Sequence, residues 1–137
     1  MAKDAETVVG DFFQALGTTL EENVAAYERY AAPGLVWDTG SRVLHSRDEA
    51  IAHLRAIPGE YGVEAFRANV LNIAAAGNVV LTERLDDLLR PDGSVILSCK
   101  VMGTFEVDGD QIVAWRDYYD TAALARQFAE AGAPLAS

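Results

Sequence analysis

Residues 63–119, VEAFRANVLNIAAAGNVVLTERLDDLLRPDGSVILSCKVMGTFEVDGDQIVAWRDYY, decide the fold. They divide into four runs rich in β-branched, aromatic and alternating apolar residues, spanning roughly 63–75, 79–89, 94–106 and 111–119. Gly77-Asn78, Pro91-Asp92-Gly93 and Asp108-Gly109-Asp110 supply turn chemistry between the runs. Connections this short join antiparallel neighbours, so the segment is predicted to be a four-stranded meander.

Successive side chains of a strand point to opposite faces. In Thr82-Glu83-Arg84-Leu85-Asp86, Arg84 and Asp86 therefore share a side, and in Trp115-Arg116-Asp117-Tyr118-Tyr119-Asp120 so do Trp115, Asp117 and Tyr119. If both sides face one cavity, a guanidinium comes to stand between two carboxyl groups. In apolar surroundings such a pair titrates at separate pH values, so that one group donates a proton while the other accepts one.

Upstream of the meander the period changes to that of helices. Val8, Val9, Phe12, Phe13 and Leu16 recur at helical spacing, and Gly17 ends that helix. Thr19-Leu20-Glu21-Glu22 is a capping box opening a second helix with Val24, Tyr27 and Tyr30, expected to stop before Pro33 and Gly34. Leu35 to Thr39 reads as a short strand. Ser46-Arg47-Asp48-Glu49 caps a third helix that presents Ile51 and Leu54 and that Pro58 and Gly59 are expected to break. After the meander, Asp120-Thr121 caps a last helix through Leu124 and Phe128. Helices first and strands second imply an α+β fold, a curved mixed sheet wrapped as a cone around the N-terminal helices with a pocket inside. No repeat, linker or second domain interrupts residues 1–137, so one domain is expected.

Composition narrows the function. The chain has 137 residues, 50% of them hydrophobic, with a formal charge of −10. That charge argues against nucleic acid and anionic membranes as partners, since both require clustered Lys and Arg. No run approaches the ~20 apolar residues of a membrane span, and Met1 to Glu6 carries no apolar leader, so a cytoplasmic location is expected. Cys99 is the single cysteine, which excludes an internal disulfide and a cysteine-based zinc cluster, and its strand position reads as a small buried hydrophobe. His45 and His53 stand apart, as surface or cap residues rather than metal ligands or a catalytic pair.

Leu81-Thr82-Glu83-Arg84-Leu85-Asp86 and Trp115-Arg116-Asp117-Tyr118-Tyr119-Asp120, in this order and at this separation, resemble the limonene-1,2-epoxide hydrolase family. The resemblance extends from the first helix onward and implies the cone fold of the nuclear transport factor 2-like superfamily. It implies that Asp86 is the acid protonating the epoxide oxygen, that Asp117 is the base taking a proton from the attacking water, and that Arg84 lies hydrogen-bonded between them. It implies neither metal, nor cofactor, nor covalent intermediate, and a small apolar epoxide and water as substrates. Trp115, Tyr119, Leu88, Cys99 and Val101 would be pocket walls.

The family's early strand supplies a tyrosine and an asparagine that help hold the water, and the corresponding positions here are Val36 and Asp38. With Asp38, Asp86 and Asp117 ionised around Arg84, the site would hold an excess of two negative charges, so at least one carboxyl should keep its proton. The resemblance favours Asp86 as the protonated group, with Asp38 the alternative. Asp38, followed by Thr39 and Gly40, also reads as a turn residue closing an Asx-type hydrogen bond. Trp37 should point away from Asp38's side, into packing or an interface.

Loss of the tyrosine leaves room for a second reading, in which a substrate hydroxyl attacks the epoxide and a cyclic ether forms, as in related polyketide epoxide-opening cyclases. A third, ketosteroid isomerase-like activity, would use Asp38, but Phe12 falls where an oxyanion-holding tyrosine would be needed and has no hydroxyl. A non-catalytic ligand-binding module is the fourth. Lys100, Ser98 and Met102 share the outer side of their strand, a mixed face of the kind that joins subunits, and a homodimer is expected there.

Overall fold

The computed structural model describes residues 3–131. Met1 and Ala2, read above for the lack of a leader, and residues 132–137 lie outside the described residues. Helices α1 (Ala5–Ala15) and α2 (Leu20–Tyr30) lead into strands β1 (Ala31–Asp38) and β2 (Val43–Leu44), followed by α3 (Arg47–Tyr61). Strands β3 (Ala65–Ala76), β4 (Val79–Leu89), β5 (Val95–Asp108) and β6 (Gln111–Tyr118) come next, and α4 (Thr121–Glu130) ends the fold. The six strands form one curved, unclosed sheet in the order β2-β1-β6-β5-β4-β3. All neighbours are antiparallel except β1 and β6, which run parallel, so the sheet is mixed.

The meander and the caps follow the expected chemistry. Glu22 N–H donates to Thr19 Oγ1 at 3.1 Å while Thr18 N–H donates to the Glu22 carboxylate at 3.2 Å. Ser46 and Asp120 accept from Glu49 N–H and Ala123 N–H at the starts of α3 and α4.

Two boundaries and one short strand differ from expectation. Strand β1 begins at Ala31, directly after α2, and its pairing with β6 shifts register between Ala31 and Val36. Pro33 and Gly34 sit in that irregular stretch, where the missing proline N–H breaks no ladder. Helix α3 continues through Pro58 and ends at Gly62, whose φ of 71° is the left-handed conformation that glycine takes freely. The buried row Ala50, Leu54 and Ile57 explains this, because packing of Ile57 against the sheet keeps the helix going past a poor helix former. The two-residue strand β2 has too little pattern to be read from sequence.

Helices α1 and α2 cover the inner face of the sheet through Val8, Phe12, Phe13, Val24 and Tyr27, which pack against Phe105 and Trp115. Along β5 the inward row runs Leu97, Cys99, Val101, Gly103, Phe105, Val107, all buried, with Lys100 and Met102 on the outer face. A second apolar cluster, comprising Ile57, Val63, Leu88, Leu97, Cys99, Val101 and Phe128, closes the other end. Between the two clusters the cone stays hollow.

Candidate active site

Thr82, Arg84 and Asp86 alternate on the inner side of β4, and β5 carries the register across to β6 through the pairs Thr82 with Gly103 and Gly103 with Asp117. Arg84, only 1% exposed, thereby reaches acids on two different strands. Its Nε donates to Asp86 Oδ1 at 3.1 Å and its Nη2 to Asp86 Oδ2 at 3.0 Å, a fork on both carboxylate oxygens. Nη2 also donates to Asp117 Oδ1 at 3.0 Å, and Nη1 to Thr82 Oγ1 at 3.0 Å. The Phe13 ring of α1 stands 4.7 Å from the guanidinium carbon on the helix side.

Trp115, one inward position before Asp117, donates its indole N–H to Asp117 Oδ1 at 2.8 Å. One oxygen of this carboxyl is thus held by two donors, while Oδ2 accepts from no described residue. The indole is fixed in turn by Trp37, stacked on it at 4.4 Å between centroids and 12° between planes, and by Phe12, Phe13, Tyr27 and Phe105 around its edge.

Both acids border a cavity of about 320 Å³. Its walls are Phe13, Tyr27, Trp37 and Trp115 toward α1 and α2, Leu88, Cys99 and Val101 on the sheet, and Ile57, Leu124 and Phe128 toward α3 and α4. The carboxyls are the acidic groups of a lining that is mainly apolar and aromatic, with Asn23, Thr39, Ser41, His53 and Thr121 as its other polar members, so their interactions are less screened than in water.

Burial pushes the Asp117 carboxyl above its ordinary value, with Arg84 and the Trp115 N–H opposing. Burial works against the charge of Arg84, but the two carboxylates outweigh it and the guanidinium stays cationic. Burial, reinforced by Asp86, pushes the Cys99 thiol up to about 11, which leaves it protonated at neutral pH. Tyr27 is likewise raised by burial and keeps its phenolic proton. Among the described residues no group of three His, Cys, Asp or Glu side chains is arranged to hold a metal ion.

Arg84, Asp86 and Asp117 come together, and Trp115, Tyr119, Leu88, Cys99 and Val101 line the cavity as expected from their strand positions. Val36 and Asp38 do not. On β1 the inward residues are Leu35 and Trp37, and these and Thr39 just past the strand are buried, whereas Val36 is 42% exposed on the other side. Asp38 Oδ1 instead accepts from Gly40 N–H at 2.9 Å, closing the Asx-type turn. A shift of one residue exchanges the two faces of a strand, and this corrects the placement of Trp37 as well, which is a cavity wall. The charge inventory changes with it. Without Asp38 the site has one guanidinium and two carboxyls, and a single proton neutralises it.

Sequence reasoning also missed Thr39, Phe13, Tyr27 and Phe66 as lining residues, and His53, expected at the surface or a cap, lines the cavity with its ring 5.8 Å from that of Trp37. The alternation Leu35, Trp37, Thr39 was the available signal for β1. No comparable local signal marks Phe13 or Tyr27, since a helical core position and a cavity wall look alike in sequence.

A family model described as the limonene-1,2-epoxide hydrolase catalytic domain matches residues 3–130. The chain is 42% identical over 67 residues to the epoxide hydrolase EphG of Mycobacterium tuberculosis, a match that takes in 49% of this chain and 42% of that protein's length. Among solved structures it is similar to an M. tuberculosis limonene-epoxide-hydrolase-like epoxide hydrolase, with TM-score 0.72 and 27% identity over 95% of this chain and 92% of the other. A nuclear transport factor 2-like protein from Burkholderia pseudomallei shares the fold at TM-score 0.74 and 17% identity, covering 92% and 98% of the two chains.

Proposed function

We propose, from the premise that this chain belongs to the limonene-1,2-epoxide hydrolase family, that it opens a small apolar epoxide with water to give a vicinal diol in one acid–base step. The observation that carries this reading is the sharing of Arg84 between Asp86 and Asp117 at the wall of an apolar cavity.

In this reading Asp117 is the base and Asp86 the acid. Asp117 Oδ2 is left for a water proton, and a carboxyl raised by burial accepts a proton more strongly than an ordinary one. Asp86, with its side chain 21% exposed, has the readier access to solvent from which an acid regains its proton after turnover. In the step itself the water oxygen bonds to one epoxide carbon, the water gives a proton to Asp117, and the C–O bond of that carbon breaks as the oxygen takes a proton from Asp86. Asp117 ends protonated and Asp86 ionised, and one proton must return from the first to the second. Arg84 stays cationic throughout and keeps the charge on either carboxylate compensated.

No covalent bond to the protein is required. Single turnover in oxygen-18 water tests this, because label in the diol on the first turnover supports direct attack by water. Label that first enters Asp86 or Asp117 would replace the scheme by a covalent one. Unlabelled cyclic ether from a hydroxylated epoxide would replace water by a substrate hydroxyl as the nucleophile.

The homodimer is also a proposal. Leu81, Met102 and Tyr118 lie exposed on the outer face of the sheet, with Met102 paired to Tyr118 across β5 and β6. A second copy of the chain would cover them.

A further inference from the structure

Gly103 interrupts the inward row of β5, a row of large or branched side chains apart from Cys99. Glycine weakens a strand, and its φ here is not in the left-handed region, so the backbone does not demand it. What the position excludes is a side chain. A Cβ at residue 103 would collide with Arg84 Nη1 and stand 2.9 Å from Asp117 Oδ1 and 3.1 Å from Thr82 Oγ1. These are three atoms of the hydrogen-bond network: the donor Nη1, its acceptor on Thr82, and the oxygen that receives both Arg84 Nη2 and the Trp115 N–H.

We propose that Gly103 is a positioning residue, the seat whose missing side chain lets the Arg84 guanidinium lie against the sheet and hold Asp86 and Asp117 at once. The inference rests on the acid–base reading above for its catalytic meaning, and on geometry alone for its structural one. The register explains why this residue and no other serves. Gly103 pairs with Thr82 on one side and Asp117 on the other, so it is the floor that an arginine must cross to reach from β4 to β6. Phe13 stands over the guanidinium from the helix side, so lifting the arginine off a methyl group on the floor would press it toward that ring. Nη2 then has to give up Asp117 or Asp86, and the two acids no longer share one cation.

Gly103→Ala tests the seat, with two readouts besides turnover. The first is the pH titration of the Asp86 and Asp117 carboxyls by NMR, which is expected to move in Gly103→Ala and to remain as in the native protein in Val107→Ala, a truncation in the same buried row away from the cavity. The second is a thermal double-mutant cycle with Arg84→Lys, which keeps the charge but lacks Nη1. Gly103→Ala should lower Tm by about 5–10 °C in the native background and by clearly less in the Arg84→Lys background, where only the contacts with Asp117 Oδ1 and Thr82 Oγ1 remain. If the single variant does not fold, a folded double variant supports the seat, and a double variant that also fails overturns it.

Equal loss of Tm in both backgrounds, or carboxyl titrations unchanged by Gly103→Ala, would also overturn the proposal. With activity as readout, kcat should fall at least tenfold, with an altered pH profile and a KM changed much less. Should the native protein turn over no epoxide while the titration and the cycle behave as stated, the hydrolase reading fails and the seat stands.

Discussion

The indole N–H of Trp115 and one oxygen of Asp117 are joined at 2.8 Å, and that same oxygen takes Arg84 Nη2 at 3.0 Å. In the proposed scheme the second oxygen, Oδ2, is the one that takes the water proton. Asp117→Asn should reduce turnover by at least about 10²-fold, the usual scale for a lost general base. Trp115→Phe, which removes one donor and keeps most of the ring, should cost turnover several-fold. Steady-state kinetics on any epoxide substrate checks both.

Asp117 also gives the stability a sign. Its folded pKa lies above the ordinary value of 3.8, so between those two values the folded state binds more protons than the unfolded. This group's contribution therefore favours the folded state below that window and is lost as pH rises through the folded pKa. Asp117→Asn removes the term, and the Tm difference between variant and native protein should shift toward the variant as pH rises from about 4 to 7. Thermal melts over that range decide it.

Arg84 holds two carboxylates at 0% side-chain exposure. Arg84→Ala leaves both acids without their cation, and removing one partner of a buried ion pair costs about 3–5 kcal/mol. Denaturant unfolding should show that loss. Arg84→Lys should recover part of the stability and little of the turnover, because a single ammonium cannot fork onto Asp86 while reaching Asp117.

Asp38 and Val36 serve as the contrast. Asp38→Ala should leave kcat/KM within about threefold and cost about 1 kcal/mol, the worth of one hydrogen bond in a turn. Trp37→Ala, one residue between them, should cost about 3–5 kcal/mol and change substrate affinity as well. The comparison isolates the face of β1 from its chain position.

Cys99, pushed up to about 11, should react slowly with iodoacetamide at pH 7.5 and faster as pH rises. An epoxide or diol occupying the cavity should slow the reaction further. For the outer face, Met102→Asp or Tyr118→Asp should shift sedimentation from dimer to monomer at micromolar concentration. A native protein that already sediments as a monomer would remove the dimer.

The chain by itself determined the meander, the helix starts and the pairing of Arg84 with Asp86, since each depends on local matters: alternation along a strand, turn residues and capping side chains. It also made Asp117 a partner, once two motifs on neighbouring strands were taken together. The alternation Leu35, Trp37, Thr39 hinted at which side of β1 faces the cavity, but only the tertiary structure decided it. That strand pairs in parallel with a distant β6 through a register shift, and no local pattern carries such a pairing. The emptiness at Gly103 was equally invisible, because a glycine in a strand shows its purpose only when an arginine from the next strand is seen to occupy the space.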